Sequence, residues 1–110
     1  MKDKVYKGML PLFPTVLQLI VTDDVYLHLK ESGNLEKGDN PLCYTGWVHG
    51  VLSVVISRKN PTSVGALAHE AVHMASMALS HHHVKWSPNN DEPLAYSVGW
   101  IMDWISRVLK

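Results

Sequence analysis

The chain has one cysteine, Cys43, one phenylalanine, Phe13, and no excess of either charge: Lys plus Arg and Asp plus Glu number 10 each. A single thiol excludes an internal disulfide and fits a reducing, cytoplasmic compartment, with an intermolecular bridge the only crosslink left open. Balanced charge without a basic block gives nucleic acid no electrostatic footprint to grip. Long apolar runs are also missing. Met9 to Val21 is mostly apolar, but Pro11 and Pro14 interrupt it and Val21-Thr22-Asp23-Asp24 lacks the small residues of a cleavage site. The run is also shorter than the ~20 residues a membrane span needs. Neither a signal peptide nor a membrane segment is expected. No internal repeat occurs, and the one biased tract is His81-His82-His83.

What is present suits one domain over residues 1–110, since a chain of 110 residues with 46% hydrophobic content fills one core and leaves no room for a second. Phe13 to Thr22, rich in Val, Ile, Leu and Thr, reads as a buried strand after a polar start. Asp23 to Ser32 alternates Val25, Leu27 and Leu29 like a strand, yet Thr22 or Asp23 can cap it and Gly33 can end it, so it reads as a short helix. Residues 33–41 read as a loop. Leu42 to Val48 and Val51 to Arg58 form a hairpin on His49-Gly50, the glycine supplying the positive φ of a tight turn. Asn60 caps, and Pro61 opens, a helix running to about Ser80. Asn90 or Asp91 caps a last helix, with Pro93 in its first turn, running to about Leu109. Along it Glu92, Ala95, Tyr96 and Gly99 share one face and Leu94, Val98, Ile101, Ile105 and Val108 the opposite one, which suggests packing on two sides. Trp100 and Trp104, one turn apart and off both faces, suit either the core or a homodimer contact. The order strand, helix, hairpin, helix, helix is an α+β pattern.

The chemistry concentrates in Ala66-Leu67-Ala68-His69-Glu70-Ala71-Val72-His73. On a helix His69 and His73 lie one turn apart on one face and can chelate one ion. Glu70 lies about 100° round, able to reach a metal-bound water and badly placed to be a ligand itself, which makes it a candidate general base. A tetrahedral catalytic zinc usually takes three protein ligands and keeps its fourth position for water. Glu92, with 18 residues between it and His73, is the expected third.

His-Glu-x-x-His followed after 18 residues by Glu resembles the signature of the gluzincins, the zinc peptidases that include thermolysin-like enzymes and zinc aminopeptidases. In the aminopeptidase branch the third-ligand helix reads Glu-x-x-Ala, the form of Glu92-Pro93-Leu94-Ala95. The likeness covers roughly residues 60–105. A looser likeness is to small phage-type proteins of the same plan. The resemblance implies a minimal zincin-like α+β domain. In it a short twisted sheet packs on the HExxH helix, a C-terminal helix carries the third ligand, and an edge strand holds an extended peptide. Val51 to Arg58 is the expected edge. It also implies a zinc metallopeptidase acting on a peptide or protein substrate, with Zn2+ on His69, His73 and Glu92 and Glu70 as base. Tyr96, one turn after Glu92, either donates to the oxyanion of the intermediate or packs against the first helix. Thermolysin-like enzymes have an aspartate there that orients a ligand histidine, so the partners of the ligands stay unassigned. Asp103, roughly 16 Å further along, reads as structural.

His81, His82 and His83 form a solvated loop, polarise the substrate carbonyl as a histidine does in thermolysin-like enzymes, or add a fourth metal ligand. Cys43 reads as a small buried apolar residue. Two other functions compete. One is a zincin-like zinc-binding module that regulates or binds a partner without turnover. The other is a structural zinc closed by the histidine run or Cys43, which has no use for Glu70.

Overall fold

The computed structural model describes residues 3–25, 27–28, 43–59 and 62–109. They form strands β1 (Lys4–Leu10), β2 (Thr15–Thr22), β3 (Cys43–Val48) and β4 (Val51–Ser57), then helices α1 (Val64–His81) and α2 (Glu92–Val108). The four-stranded sheet has the order β1-β2-β4-β3. β1 and β2 pair antiparallel, as do β3 and β4, while β2 and β4 pair parallel, so the sheet is mixed and the class is α+β. No helix among the described residues is long and apolar enough to cross a membrane.

The central strand β4 carries the most continuous apolar run because both its faces are buried, whereas β2 keeps Val16 exposed. Leu17 and Leu19 of β2 and Leu52, Val54 and Ile56 of β4 face the helices and meet Ala71, Met74, Ala75 and Ala78 of α1 and Ile101, Trp104 and Ile105 of α2. Ile20, Val25, Tyr44, Val48 and Val55 form a smaller cluster elsewhere in the domain. α1 packs on β3 and β4, and α2 on β1.

Several expectations shift by a few residues. The first expected strand begins at Thr15, not Phe13, because residues 11–14 form the turn from β1. β1 itself was not expected. Its apolar Val5 and Met9 are about half exposed, while Tyr6, Gly8 and Leu10 turn inward, so its alternation is inverted relative to a plain amphipathic strand. Of the short helix expected over 23–32, Val25, Leu27 and His28 are helical, and 26 and 29–32 lie outside the described residues. The loop expected over 33–41 lies wholly outside them. His49 (φ 50°) and Gly50 (φ 79°) both adopt positive φ, the paired requirement of a type I′ hairpin. The cap of α1 is Ser63, not Asn60: its hydroxyl accepts from the Ala66 N–H at 3.1 Å and the first helical residue is Val64. Asn60 and Pro61 lie outside the described residues.

Two larger corrections concern packing. β4 is paired on both sides, by β2 and β3, so the expected substrate-facing edge over Val51 to Arg58 is excluded. The apolar content that suggested a sheet interior was the correct guide. Second, α2 packs on one side only: Glu92, Ala95, Tyr96 and Gly99 are all exposed.

Trp104 is 3% exposed and belongs to the core, with Trp100 stacked on it at 6.1 Å between ring centroids. Its indole lies against β1 at Gly8, where an added Cβ would come within 2.8 Å of Nε1. A rigid buried ring cannot yield that distance without dragging α2 from the sheet. Gly8→Ala is therefore expected to destabilise the fold by roughly 1–3 kcal/mol, the usual cost of overpacking. Chemical denaturation reads it as a lower midpoint, with Lys7→Ala on the same strand as control.

Candidate functional site

α1 is phased by its buried stripe. Ala71, Met74, Ala75, Ala78 and Leu79 are fully buried, so the 3.6-residue period turns His69 and His73 to solvent and leaves Glu70 at the boundary with the sheet. The His69 side chain is 68% exposed and that of Glu70 11%. The two imidazoles meet edge to face with Nε2 atoms 3.1 Å apart. One ring donates and the other accepts in that contact.

The same separation suits a shared ion. Two nitrogens on one tetrahedral zinc at about 2.0–2.1 Å stand roughly 3.3 Å apart. The pair therefore fits two corners of a zinc site with little adjustment. Among the described residues no set of three His, Cys, Asp or Glu side chains is grouped closely enough to hold a metal. Glu92 is thus not brought into the histidine cluster. It is exposed in the first turn of α2, where its negative charge complements the helix dipole. Tyr96 is 50% exposed on the same outer stripe.

Glu70 is held from the sheet. The Thr45 hydroxyl, on β3, lies 2.9 Å from Glu70 Oε1 and 3.1 Å from the Glu70 backbone carbonyl, donating between the two. The other carboxylate oxygen, Oε2, is 4.0 Å from His69 Nε2. One oxygen is thus tied to the strand and the other faces the histidines. Sequence reasoning missed Thr45. No local signal marked it: Thr45 pairs with Val54 and shares its face of β3 with half-buried Cys43 and exposed Trp47.

Cys43 is half-buried, and burial pushes its thiol up from the ordinary value, with the Glu70 charge adding to the rise. The histidine run divides. His81 ends α1 and sets its ring 5.2 Å from that of Trp47. His82 Nε2 lies 3.1 Å from the Pro14 carbonyl and 2.9 Å from Thr15 Oγ1, whose own proton goes to the Phe13 carbonyl. Both partners accept, so Nε2 carries the hydrogen, and His82 ties the end of α1 to the β1–β2 turn. His83 (φ 58°) takes the left-handed position of a Schellman stop, with Val84 N–H donating to the Leu79 carbonyl and His83 N–H to that of Ser80. Asp103 is exposed on α2.

Comparison of the chain with protein-family models, with curated proteins and with solved structures finds no match.

The Thr45 hydroxyl holds one oxygen of the Glu70 carboxylate, and the two residues have separable readouts. Thr45→Val keeps the shape but strips a donor from a nearly buried carboxylate, at an expected cost of about 1–3 kcal/mol. Glu70→Gln, by contrast, removes the negative charge beside Cys43 and leaves burial in place. Alkylation of Cys43 by iodoacetamide at mildly alkaline pH should then quicken, because the thiolate is less disfavoured. An unchanged rate would place the carboxylate too far from the thiol to act on it.

Proposed function

We propose that the chain is a small zinc-dependent peptidase of gluzincin type on a zincin-like fold. The observation that carries this reading is the convergence of His69 and His73 Nε2 at 3.1 Å beside a carboxylate, Glu70, that the sheet holds by one oxygen. His69, His73 and Glu92 would hold the metal. Zinc so held supplies a Lewis acid that acidifies a water and polarises a carbonyl. Glu70 Oε2 accepts the proton of the attacking water and passes it to the leaving amide nitrogen. The Thr45 bond fixes which oxygen does so. β3 takes over the role first expected of β4. Among the described residues it pairs only with β4, and its outer edge would take an extended peptide through main-chain hydrogen bonds.

The exposed position of Glu92, outside the histidine pair, favours a second reading: a zinc-binding module that acts on a partner without turnover.

The experiment is a zinc titration joined to a cleavage assay. The protein is expected to bind about one zinc per chain, and His69→Ala, His73→Ala and Glu92→Ala each to weaken it strongly, since two remaining ligands hold the ion poorly. Unchanged zinc content in all three variants would sink the site. Glu70→Gln should keep the metal and lose roughly 10²–10⁴-fold in peptide hydrolysis. Equal cleavage by parent and variant would assign the activity to another site. Zinc binding with no cleavage by either would favour the binding module.

A further inference from the structure

Beyond His73 the same stripe of α1 continues through half-buried Ser76 and exposed Ser80, at spacings of three and four residues, on the same side of the helix as His69 and His73. Two adjoining depressions share these serines as their floor. Trp47 and His81 wall one, and Lys85 and Trp86 the other. Trp47 is 37% exposed and Trp86 46% exposed, so each presents an indole to solvent. No carboxylate lines either depression.

The direction of β3 relates this groove to the candidate site. Thr45 meets Glu70, and Trp47, two residues on, meets His81, so β3 and α1 advance the same way. A peptide added to the outer edge of β3, which no strand among the described residues occupies, in the antiparallel sense, the slightly more stable pairing, runs from the Trp47 end toward the Thr45 end. The residue it places over the groove therefore precedes the bond presented to Glu70. Exposed indoles gain most from a flat apolar or aromatic group. They also attract cations, but here Lys85 repels a second ammonium and no acid compensates it. The serine hydroxyls add hydrogen-bond partners for a phenol.

We infer that the groove bounded by Trp47, Ser76, Ser80 and Trp86 is a specificity subsite for an aromatic side chain, Phe or Tyr, upstream of the bond. The inference rests on the peptidase reading for the direction of the peptide, though not for the chemistry of the groove.

The test uses the Glu70→Gln chain, with and without zinc, and N-acetylated, C-amidated peptides that differ at one position, Phe, Lys or Glu. Binding is followed by the indole N–H resonances of Trp47 and Trp86. The Phe peptide is expected to bind about tenfold more tightly than the Lys peptide, the sum of two aromatic contacts. Trp47→Ala and Trp86→Ala should each erase most of that ratio. Ser80→Glu, at an exposed helical position that tolerates the change, should reverse the order in favour of Lys. If the three peptides bind alike, or keep their order in every variant, the subsite is overturned even where zinc binding and cleavage stand. If the order holds and reverses as expected while no zinc binds, the subsite stands and the peptidase reading falls.

Discussion

The arrangement depends on the rotational setting of α1 beneath β3 and β4. Five fully buried residues on one stripe of that helix, four of them alanine or methionine, fix its phase against the sheet. Once they are inward, the helical period leaves no choice about the rest. Glu70 falls at the seam with β3, His69, His73 and Ser80 line the outside, and Ser76 is half-buried beside them. The small alanine side chains also let the helix axis approach closely, which is how a hydroxyl as short as that of Thr45 reaches both the carbonyl and the carboxylate of Glu70.

A carboxylate removed from water is costly unless it finds donors. Here the donor comes from a different element, so the same hydrogen bond that satisfies Glu70 also pins the helix to the sheet edge and aims the free oxygen. The far end of α1 is pinned by similar means. His82 bridges to the β1–β2 turn, and the left-handed His83 closes the last turn. The exposed histidine stripe therefore sits on a helix fixed at both ends, which favours a preset geometry over one assembled on binding.

The sheet order leaves two edge strands, β1 and β3, among the described residues. β1 is an edge strand whose inner face is occupied by Trp104 through the space that Gly8 leaves. β3 is the other edge, next to the candidate site, and among the described residues no strand covers it. An unpaired edge strand is a liability for aggregation and an opportunity for strand addition. Its position beside Thr45, Trp47 and the histidine stripe gives the opportunity a location.

The helices, the β3–β4 hairpin and the strand before Asp23 were legible because their periods, turn residues and apolar runs are local. The pairing of His69 with His73 was legible for the same reason: four residues on a helix is a local distance. β1 was hidden because its inward face is built around a glycine whose value lies in the ring above it, a contact across 96 positions of sequence. The single-sided packing of α2, the central place of β4 and the Thr45 bond to Glu70 all depend on which elements become neighbours. The sequence by itself determined the helix that carries His69, Glu70 and His73, since spacing along one helix sets its own geometry. Only the tertiary structure decided that Thr45 holds Glu70, that β4 is central and β3 an edge strand beside α1, and that α2 packs on one side, because those relations join residues whose separation in the chain carries no information about their distance in space.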